Sequence, residues 1–418
     1  MGLDCRALRR DFPLLENRGI VYLDNAASTL KPSPVVEAMV SFTHDTYANV
    51  HRGVYELSLK ASRLYEEAHE VVAGFIGAES WEEIVFTRNT SESIQLAAML
   101  LYWNGYIGRG DEVVVTEADH HSNLLPWVRV AEKAGARLKL VPVNSRGIPE
   151  WRALASMISE RTRVVAFGHA SNVTGYINPV KSISKIAREH GAMVVVDGAQ
   201  SVPHMPINVA DLGVDFLAFS GHKMLGPTGI GVLYARRDLA EKLDPPLGAG
   251  GTVRRVRLKG GRVSIEWDSM PWKLESGTPP IIEAVGLMEA VRYLEKIGME
   301  NVRSHEASLT EKALTLLSGI EEVEILGPEN AEERLGVVSF SIRGLNPDAA
   351  GYALSRMGIA VRTGLHCAHI LHDRLGHPEG SIRASFYIYN CVEDVELLAR
   401  AVEEVARKYA GKTAGPAG

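Results

Sequence analysis

Between residues 80 and 235, short β-rich runs alternate with segments of helical period, and that alternation constrains the fold more than any other feature of the chain. Glu83 to Thr87, Glu112 to Thr116, Arg137 to Pro142, Arg163 to Gly168, Met193 to Asp197 and Val214 to Ser220 have the apolar, β-branched character of buried strands. Between them, Ile183, Ile186, Ala187 and His190 keep i, i+3, i+4, i+7 spacing, with Gly191 placed to end the helix; Ile94, Ala97, Ala98 and Leu101 repeat the pattern. This predicts an α/β domain with a mostly parallel sheet covered on both faces and a ligand site at strand ends. Beyond Trp272 the texture changes. A long helical region from about Ile281 to Gly319 is followed by Val323 to Leu326, Val337 to Ile342, an Asp348 to Met357 helix, Ile359 to Thr363, Ile382 to Tyr387 and a last helix from Val392 to Tyr409. That order reads as a smaller α+β domain, with residues 1–20 as its N-terminal partner and Gly411 to Gly418 as a disordered tail.

Composition excludes several classes. With 418 residues and 46% apolar content the chain can bury substantial cores, and its net charge of -6 offers no surface for nucleic acid. The densest basic stretch, Arg254 to Arg262, is broken by Gly260 and Gly261 and reads as a solvated loop or hairpin. No apolar run reaches membrane-spanning length, and Met1 to Arg10 lacks a signal-peptide core, so a cytoplasmic address and no membrane partner are expected. The three cysteines, Cys5, Cys367 and Cys391, make no disulfide framework by count or spacing. Cys391, at a helix start, reads as a buried structural residue, and Cys5 has no evident partner.

Lys223 lies in S-G-H-K-M-L-G-P-T-G-I-G, Ser220 to Gly231, directly after a strand-like run. The glycines and Pro227 let the backbone turn sharply beside a flat ligand, and a confined amine there is a candidate Schiff-base nucleophile; an ordinary Gly-Pro turn with a surface lysine fits the segment equally. Asp197 ends the run Met193 to Val196. On its own it suits a loop or capping carboxylate. Together, a lysine for an aldehyde and a carboxylate for a ring nitrogen match the demands of pyridoxal phosphate. Strand Ile84 to Thr87 runs into Arg88-Asn89-Thr90-Ser91-Glu92-Ser93, a polar turn opening a helix where free N–H groups and hydroxyls can meet a phosphate, and Ser220 and His222 flank the lysine for the same task. No Walker loop or dinucleotide fingerprint stands where such a site would need one.

L-D-N-A-A at 23–27, H-R-G at 51–53, His120-His121, S-N-V-T-G at 171–175, V-D-G-A-Q-S at 196–201, the lysine motif, S-G-T-P at 276–279, R-T-G-L-H-C at 362–367 and R-A-S at 383–385 occur in the order of SUF-type cysteine desulfurases. The chain resembles that family, a branch of the class V aminotransferase group of fold type I pyridoxal-phosphate enzymes, over nearly its whole length. The resemblance implies a large domain (21–285) with a mostly parallel seven-stranded sheet between helices, and a smaller α+β C-terminal domain (286–418) carrying the catalytic cysteine loop. It implies that Lys223 holds pyridoxal 5'-phosphate, Asp197 pairs with the pyridinium and Gln200 bonds the ring hydroxyl. His120 would stack on the ring and assist proton transfer, with Asn172 near the ring hydroxyl and substrate carboxylate. Thr90, Ser91, Ser220 and His222 would hold the phosphate, joined by Thr278 from the second subunit of a homodimer. Arg383 would grip the substrate carboxylate, Arg362 would lie near the reacting sulfur, and Ala26 and Ala27 would line the substrate site. His51 and Arg52 would stand at an entrance formed across the dimer.

Cys367 separates this reaction from transamination. A free thiol titrates near 8.5, and Arg362, Arg383 and His366 are candidate cationic neighbours. The resemblance then implies conversion of L-cysteine to L-alanine, with a persulfide on Cys367 passed to a protein acceptor of iron-sulfur cluster assembly. On the same framework the alternatives are a selenocysteine lyase acting on L-selenocysteine, a cysteine sulfinate desulfinase, or a class V aminotransferase-type enzyme; a catalytically silent scaffold is a further one. His366, Cys367, His369, His372 and His377 also invite a zinc reading, but their spacing matches no familiar finger and a metal would occupy the nucleophile, so no metal is assigned. Leu365 stands where many relatives have a second histidine, and A-H-I-L-H replaces a loop where proline is common.

Overall fold

A computed structural model describes residues 3–409; the expected disordered tail lies outside them. The central sheet has seven strands in the order Ile84–Thr87, Gly231–Ala235, Phe216–Ser220, Met193–Asp197, Thr162–Gly168, Glu112–Thr116 and Arg137–Val141. Gly231–Ala235 runs antiparallel to both neighbours and the other strands are mutually parallel. The α/β expectation of a mostly parallel sheet is met. The inner strands are buried over most of their length because helices cover both faces: Thr90–Trp103 buries Ile94, Ala97, Ala98 and Leu101, and Val180–Glu189 buries Ile183 and Ala187. Gly191, at φ 72°, stops the second helix in the left-handed conformation that glycine tolerates.

Gly231–Ala235 went unread as a strand because it follows the lysine loop without a preceding helix. Its first residue has a positional role. A Cβ on Gly231 would sit 2.5 Å from the backbone carbons of Asn89, so only glycine lets this strand pass under the turn that opens helix Thr90–Trp103. The basic stretch forms the exposed hairpin Val253–Lys259 and Arg262–Trp267.

The long helical region resolves into two helices, Ile281–Ile297 and Met299–Ser318, separated by Gly298 at φ 85°. Residue 285 therefore falls inside a helix that packs on Ser33–Asp45 and Glu56–Ile76. The C-terminal part is an antiparallel sheet ordered Val323–Leu326, Val337–Ile342, Ser381–Ser385, Arg362–Gly364, backed by Met299–Ser318, Pro347–Arg356 and Val392–Tyr409. The N-terminal segment bridges the two parts. Phe12 packs in the main core beside Tyr389, their ring centroids 4.5 Å apart, and Val21–Tyr22 pairs with Ile359–Ala360.

One expectation is overturned here: Cys5 has a partner, and it is Cys391, joined in a disulfide across 386 residues of sequence. The short helix Cys5–Arg9 lies against the start of the last helix, held also by Arg6 to Glu393 and by Arg9 to Asp394 at 3.3 Å. Residues so far apart cannot be paired by spacing. Closing so long a loop removes entropy from the unfolded chain, typically worth ~2–5 kcal/mol. Cys5→Ser should therefore lower the thermal midpoint measured by calorimetry, whereas an unchanged midpoint would mean that the bridge contributes nothing.

Candidate active site

Asp197 ends its strand opposite Ala218, and the neighbouring strand ends in Ser220, from which the turn Gly221–Lys223 carries the lysine back over the strand ends. A cavity of about 390 Å³ opens there, the size of a small cofactor with its substrate. Asp197, Gln200, Ser220, His222 and Lys223 line its floor; Ala26, Ala27, His120 and Asn172 line its walls. Thr90 and Ser91 enter from the helix N-terminus, and Arg362, Cys367 and Arg383 come from the C-terminal sheet. Desolvation brings the Lys223 amine down to about 8, opposed by Asp197 and assisted by Arg383. Burial pushes the Asp197 carboxyl up against the pull of the Ala199 N–H and Lys223.

The anion corner is built from main chain as much as from side chains. Asn89 caps the helix by accepting from Glu92 N at 3.0 Å, which leaves the first-turn N–H groups at the cavity. Ser220 Oγ receives Thr90 N at 2.7 Å and lies 2.6 Å from Thr90 Oγ1, while Ser91 Oγ lies 2.6 Å from Ser122 Oγ. Such hydroxyls can turn to an incoming phosphate.

His120 caps the next helix: its Nδ1 accepts from Ser122 N at 3.0 Å. With that nitrogen committed, the neutral ring carries its proton on Nε2 and can donate there. Burial, reinforced by Lys223, pushes this imidazole down to about 3, so it is neutral at working pH. Asp119, one residue earlier, accepts Thr116 N at 2.8 Å and Gly168 N at 2.9 Å, tying two strand ends together beneath it.

On the opposite wall Arg362 and Arg383 face each other in strand register. Two adjacent guanidiniums need a counter-charge, and Asp24 supplies it. Its carboxylate takes Arg362 Nε at 2.9 Å and Nη2 at 2.7 Å, and approaches Arg383 Nη2 at 3.5 Å. Asp24 stood in the L-D-N-A-A motif without a role; nothing in sequence distance pointed from residue 24 to 362. Arg383 is buried, donates Nη1 to Asn172 O at 2.9 Å and keeps Nε without a partner. Gln200 donates Nε2 to Ala26 O at 2.9 Å and keeps Oε1 without one. Unsatisfied buried polar atoms are expensive, and both line this cavity. An acidic ring hydroxyl, a phosphate and a carboxylate would use what these residues leave free, so the donor set fits pyridoxal phosphate with an amino acid beside it.

Cys367 is a free, exposed thiol on the rim. His366 and Cys367 adopt φ 47° and 55°, consecutive left-handed residues at a cost of about 1–3 kcal/mol each. The turn is held by its carbonyls: His366 O accepts Asn172 Nδ2 and Cys367 O accepts His121 N, both at 2.8 Å. His366 is not a cation here. Burial, with Arg383, His372 and Arg362 nearby, pushes its imidazole down to about 2, leaving the two guanidiniums as the positive groups of this wall. His121 and His369 meet ring to ring at 4.5 Å, and among the described residues no group of three or more His, Cys, Asp or Glu side chains could hold a metal ion.

Three expected residues are not brought to this cavity. His51, Arg52 and Thr278 are exposed elsewhere on the chain.

The aminotransferase class-V family matches residues 21–398. A probable cysteine desulfurase of Aeropyrum pernix is 59% identical over 404 residues, covering 96% of this chain and 98% of its own. A cysteine desulfurase of Haloferax volcanii is 42% identical over 426 residues, covering 98% of each. Among solved structures, the apo cysteine desulfurase of Thermococcus onnurineus superposes with a TM-score of 0.92 at 42% identity, over 97% of this chain and 99% of that one. The cysteine desulfurase CsdA of Escherichia coli does so with 0.89 at 36%, over 98% and 100%. A match across so much of the chain, on a fold whose strand ends carry the lysine and carboxylate described above, makes this protein a member of the class-V aminotransferase family.

Proposed function

We propose that this protein is a pyridoxal-phosphate-dependent cysteine desulfurase that converts L-cysteine to L-alanine and leaves the sulfur as a persulfide on Cys367. The observation that carries this reading is a free thiol on the rim of the cavity that holds Lys223 and Asp197, beside two guanidiniums. When bound, pyridoxal phosphate supplies an electron sink for charge developing at the substrate α-carbon. Asp197, a buried carboxylate, would support that sink by pairing with the ring nitrogen, and Thr90, Ser91, Ser220 and His222 would receive the phosphate. Arg383 holds the α-carboxylate through the edge that Asn172 leaves open, and Ala26 and Ala27 line the adjoining substrate space. Lys223 Nζ, depressed to about 8, can take a proton from the α-carbon at neutral pH, and His120 Nε2–H can donate towards the reacting group. The Cys367 thiolate attacks the substrate sulfur. The S–S bond forms as the Cβ–S bond breaks and the electron pair passes to Cβ; protonation at Cβ and return of the proton from Lys223 to the α-carbon yield alanine.

Two features support a homodimer. His51, Arg52 and Thr278 stand away from their own cavity, and the neighbouring surface exposes Val54, Tyr55, Leu57 and Leu59. In that reading Thr278 of one copy reaches the phosphate of the other, and His51 with Arg52 form its entrance. The exposed persulfide passes to an acceptor protein with an accessible thiol, feeding iron-sulfur or other sulfur-containing products. The cytoplasmic address is part of this proposal, and among the described residues no helix is long and apolar enough to cross a membrane.

Cysteine treatment followed by mass spectrometry should find one added sulfur on Cys367. Cys367→Ala should keep the cofactor absorbance while alanine production falls by at least about two orders of magnitude; substantial turnover without the thiol would exclude the assignment. Arg383→Lys should raise KM for L-cysteine about tenfold or more, from loss of a charge-assisted bond worth ~1.5–3 kcal/mol, and an unchanged KM would place the carboxylate elsewhere. A lysine depressed in the fold is neutral above its folded pKa, so cofactor uptake by apoprotein should accelerate with pH and level off just above the value of about 8. A rate still climbing at pH 10 would mean an ordinary amine.

A further inference from the structure

Against the edge strand Ile84–Thr87 of the large sheet, one carboxylate gathers parts of the chain that are far apart in sequence. Glu275 is buried, and each of its oxygens is engaged. Oε2 accepts the Tyr65 hydroxyl at 2.6 Å; Oε1 accepts Phe86 N at 2.6 Å and lies 2.9 Å from His69 Nε2. Phe86 belongs to Ile84–Thr87, the edge strand of the seven-stranded sheet, so the side chain of Glu275 takes up a main-chain donor that an edge strand leaves open. Tyr65 and His69 lie on one face of helix Glu56–Ile76, four residues apart, and both are fully buried. His69 Nδ1 is 2.9 Å from Tyr65 O. Both ring nitrogens thus face oxygen acceptors, which fixes the ring's orientation on the carboxylate.

Two exposed segments grow out of this buried cluster. Trp272, which precedes Glu275, packs against the His51 ring at 4.6 Å, and the Tyr65 ring lies 5.7 Å from His51 on another side. His51 itself is held at φ 75°, with its N–H given to Ser62 on the same helix as Tyr65. In the other direction the chain leaves Glu275 through Ser276 and Gly277, the latter at φ 86° with its N–H on Gly250 O at 2.8 Å, and reaches Thr278. The segments bearing His51-Arg52 and Thr278 are therefore braced by one hydrogen-bonded carboxylate, and neither lines the cavity of its own chain.

We infer that Glu275 is a positioning residue for the active site of the partner copy: it fixes the Thr278 and His51-Arg52 segments so that both are presented, as one rigid unit, to the neighbouring cavity. The inference rests on the homodimer reading above and adds to it the residue that organises the donated surface. A carboxylate suits the task because it takes three donors at once; a glutamine in its place offers one acceptor oxygen and an NH2 group that cannot accept from Phe86 or Tyr65.

Subunit complementation tests this. Glu275→Gln and Lys223→Ala chains carrying different tags are co-expressed, and the hybrid dimer is isolated through both tags. Glu275→Gln homodimers should show cofactor affinity weakened at least about tenfold and activity reduced, and Lys223→Ala homodimers should be inactive. In the hybrid, the site built on the Glu275→Gln chain keeps its own Lys223 and receives an intact donated surface from the other chain. About half of the wild-type activity and one tight cofactor per dimer should return, as a two-fold interface requires. A hybrid as weak as its parents would mean that Glu275 serves its own cavity, and overturns the inference. If Glu275→Gln fails to fold, Tyr65→Phe and His69→Leu, each removing one donor, are carried through the same hybrid. Thr278→Ala separates the two levels: unchanged cofactor affinity in that variant overturns the dimer reading and this inference with it. A loss with Thr278→Ala but none with Glu275→Gln overturns this inference alone.

Discussion

Two neighbouring parallel strands end side by side, one in Asp197 and the other in the turn that returns Lys223 to the same cavity, and the chemistry available to this protein follows from how little water they share. Desolvation acts on both groups in the direction of neutrality, bringing the amine to about 8 and raising the carboxyl, while each counteracts the other's shift. A lysine on a solvated loop would stay protonated at neutral pH and could neither bond an aldehyde nor take a proton. The sheet maintains the arrangement at low entropic cost, because the residues ahead of Asp197 and Ser220 are locked in register: Val195 opposite Phe216, Val196 opposite Leu217.

One turn ties the C-terminal sheet to that frame at the site itself. Asn172 follows strand Thr162–Gly168, and it faces the second half of the site with both of its polar ends. Its main-chain carbonyl accepts from Arg383 Nη1 and its side-chain Nδ2 donates to His366 O. The turn is fastened from behind, where Ser339 Oγ donates to Val173 O at 2.6 Å and Leu335 N to Gly175 O at 2.9 Å. Arg334 lies buried beneath it, its guanidinium donating to the carbonyls of Pro328 and Val337, and burial brings this group down to about 9. A shift of Ser171–Gly175 would thus disturb the carboxylate grip and the thiol loop together, which is a reason for their meeting at one residue.

Much of this was legible along the chain, for reasons that can be named. Strands Met193–Asp197 and Val337–Ile342 and helix Val392–Tyr409 were bounded as observed, since buried β-branched runs and a long amphipathic period carry their own local signal. Gly231–Ala235 had no such frame, and the break at Gly298 was hidden by apolar residues on both sides. The site residues that arose from motifs came together except where the reading already sent them to another copy. Partners joined only in space were the ones missed: Asp24 with Arg362, Cys5 with Cys391, and Glu275 with Tyr65 and His69. His366 was misjudged for a different reason, because its charge depends on burial and on two guanidiniums that its sequence neighbourhood does not reveal.

The two reactive groups sit on opposite kinds of structure. Lys223 is delivered by a sheet whose register admits little movement. Cys367 rides on two successive left-handed residues, a conformation that costs energy and persists only because His121 and Asn172 hold the carbonyls on either side. The amine must meet an atom whose position the cavity already fixes, so rigidity serves it. In the proposed reaction the thiol has two tasks: taking sulfur from the substrate in the cavity and giving it up to an acceptor outside. The two hydrogen bonds on its carbonyls, each worth ~0.5–1.5 kcal/mol net, are of the same order as the backbone strain they oppose. The placement of Cys367 at the rim and the strain of its turn thus belong together: in the proposed reaction the sulfur-accepting residue sits where the fold meets solvent, on a backbone that its neighbours hold in a costly conformation.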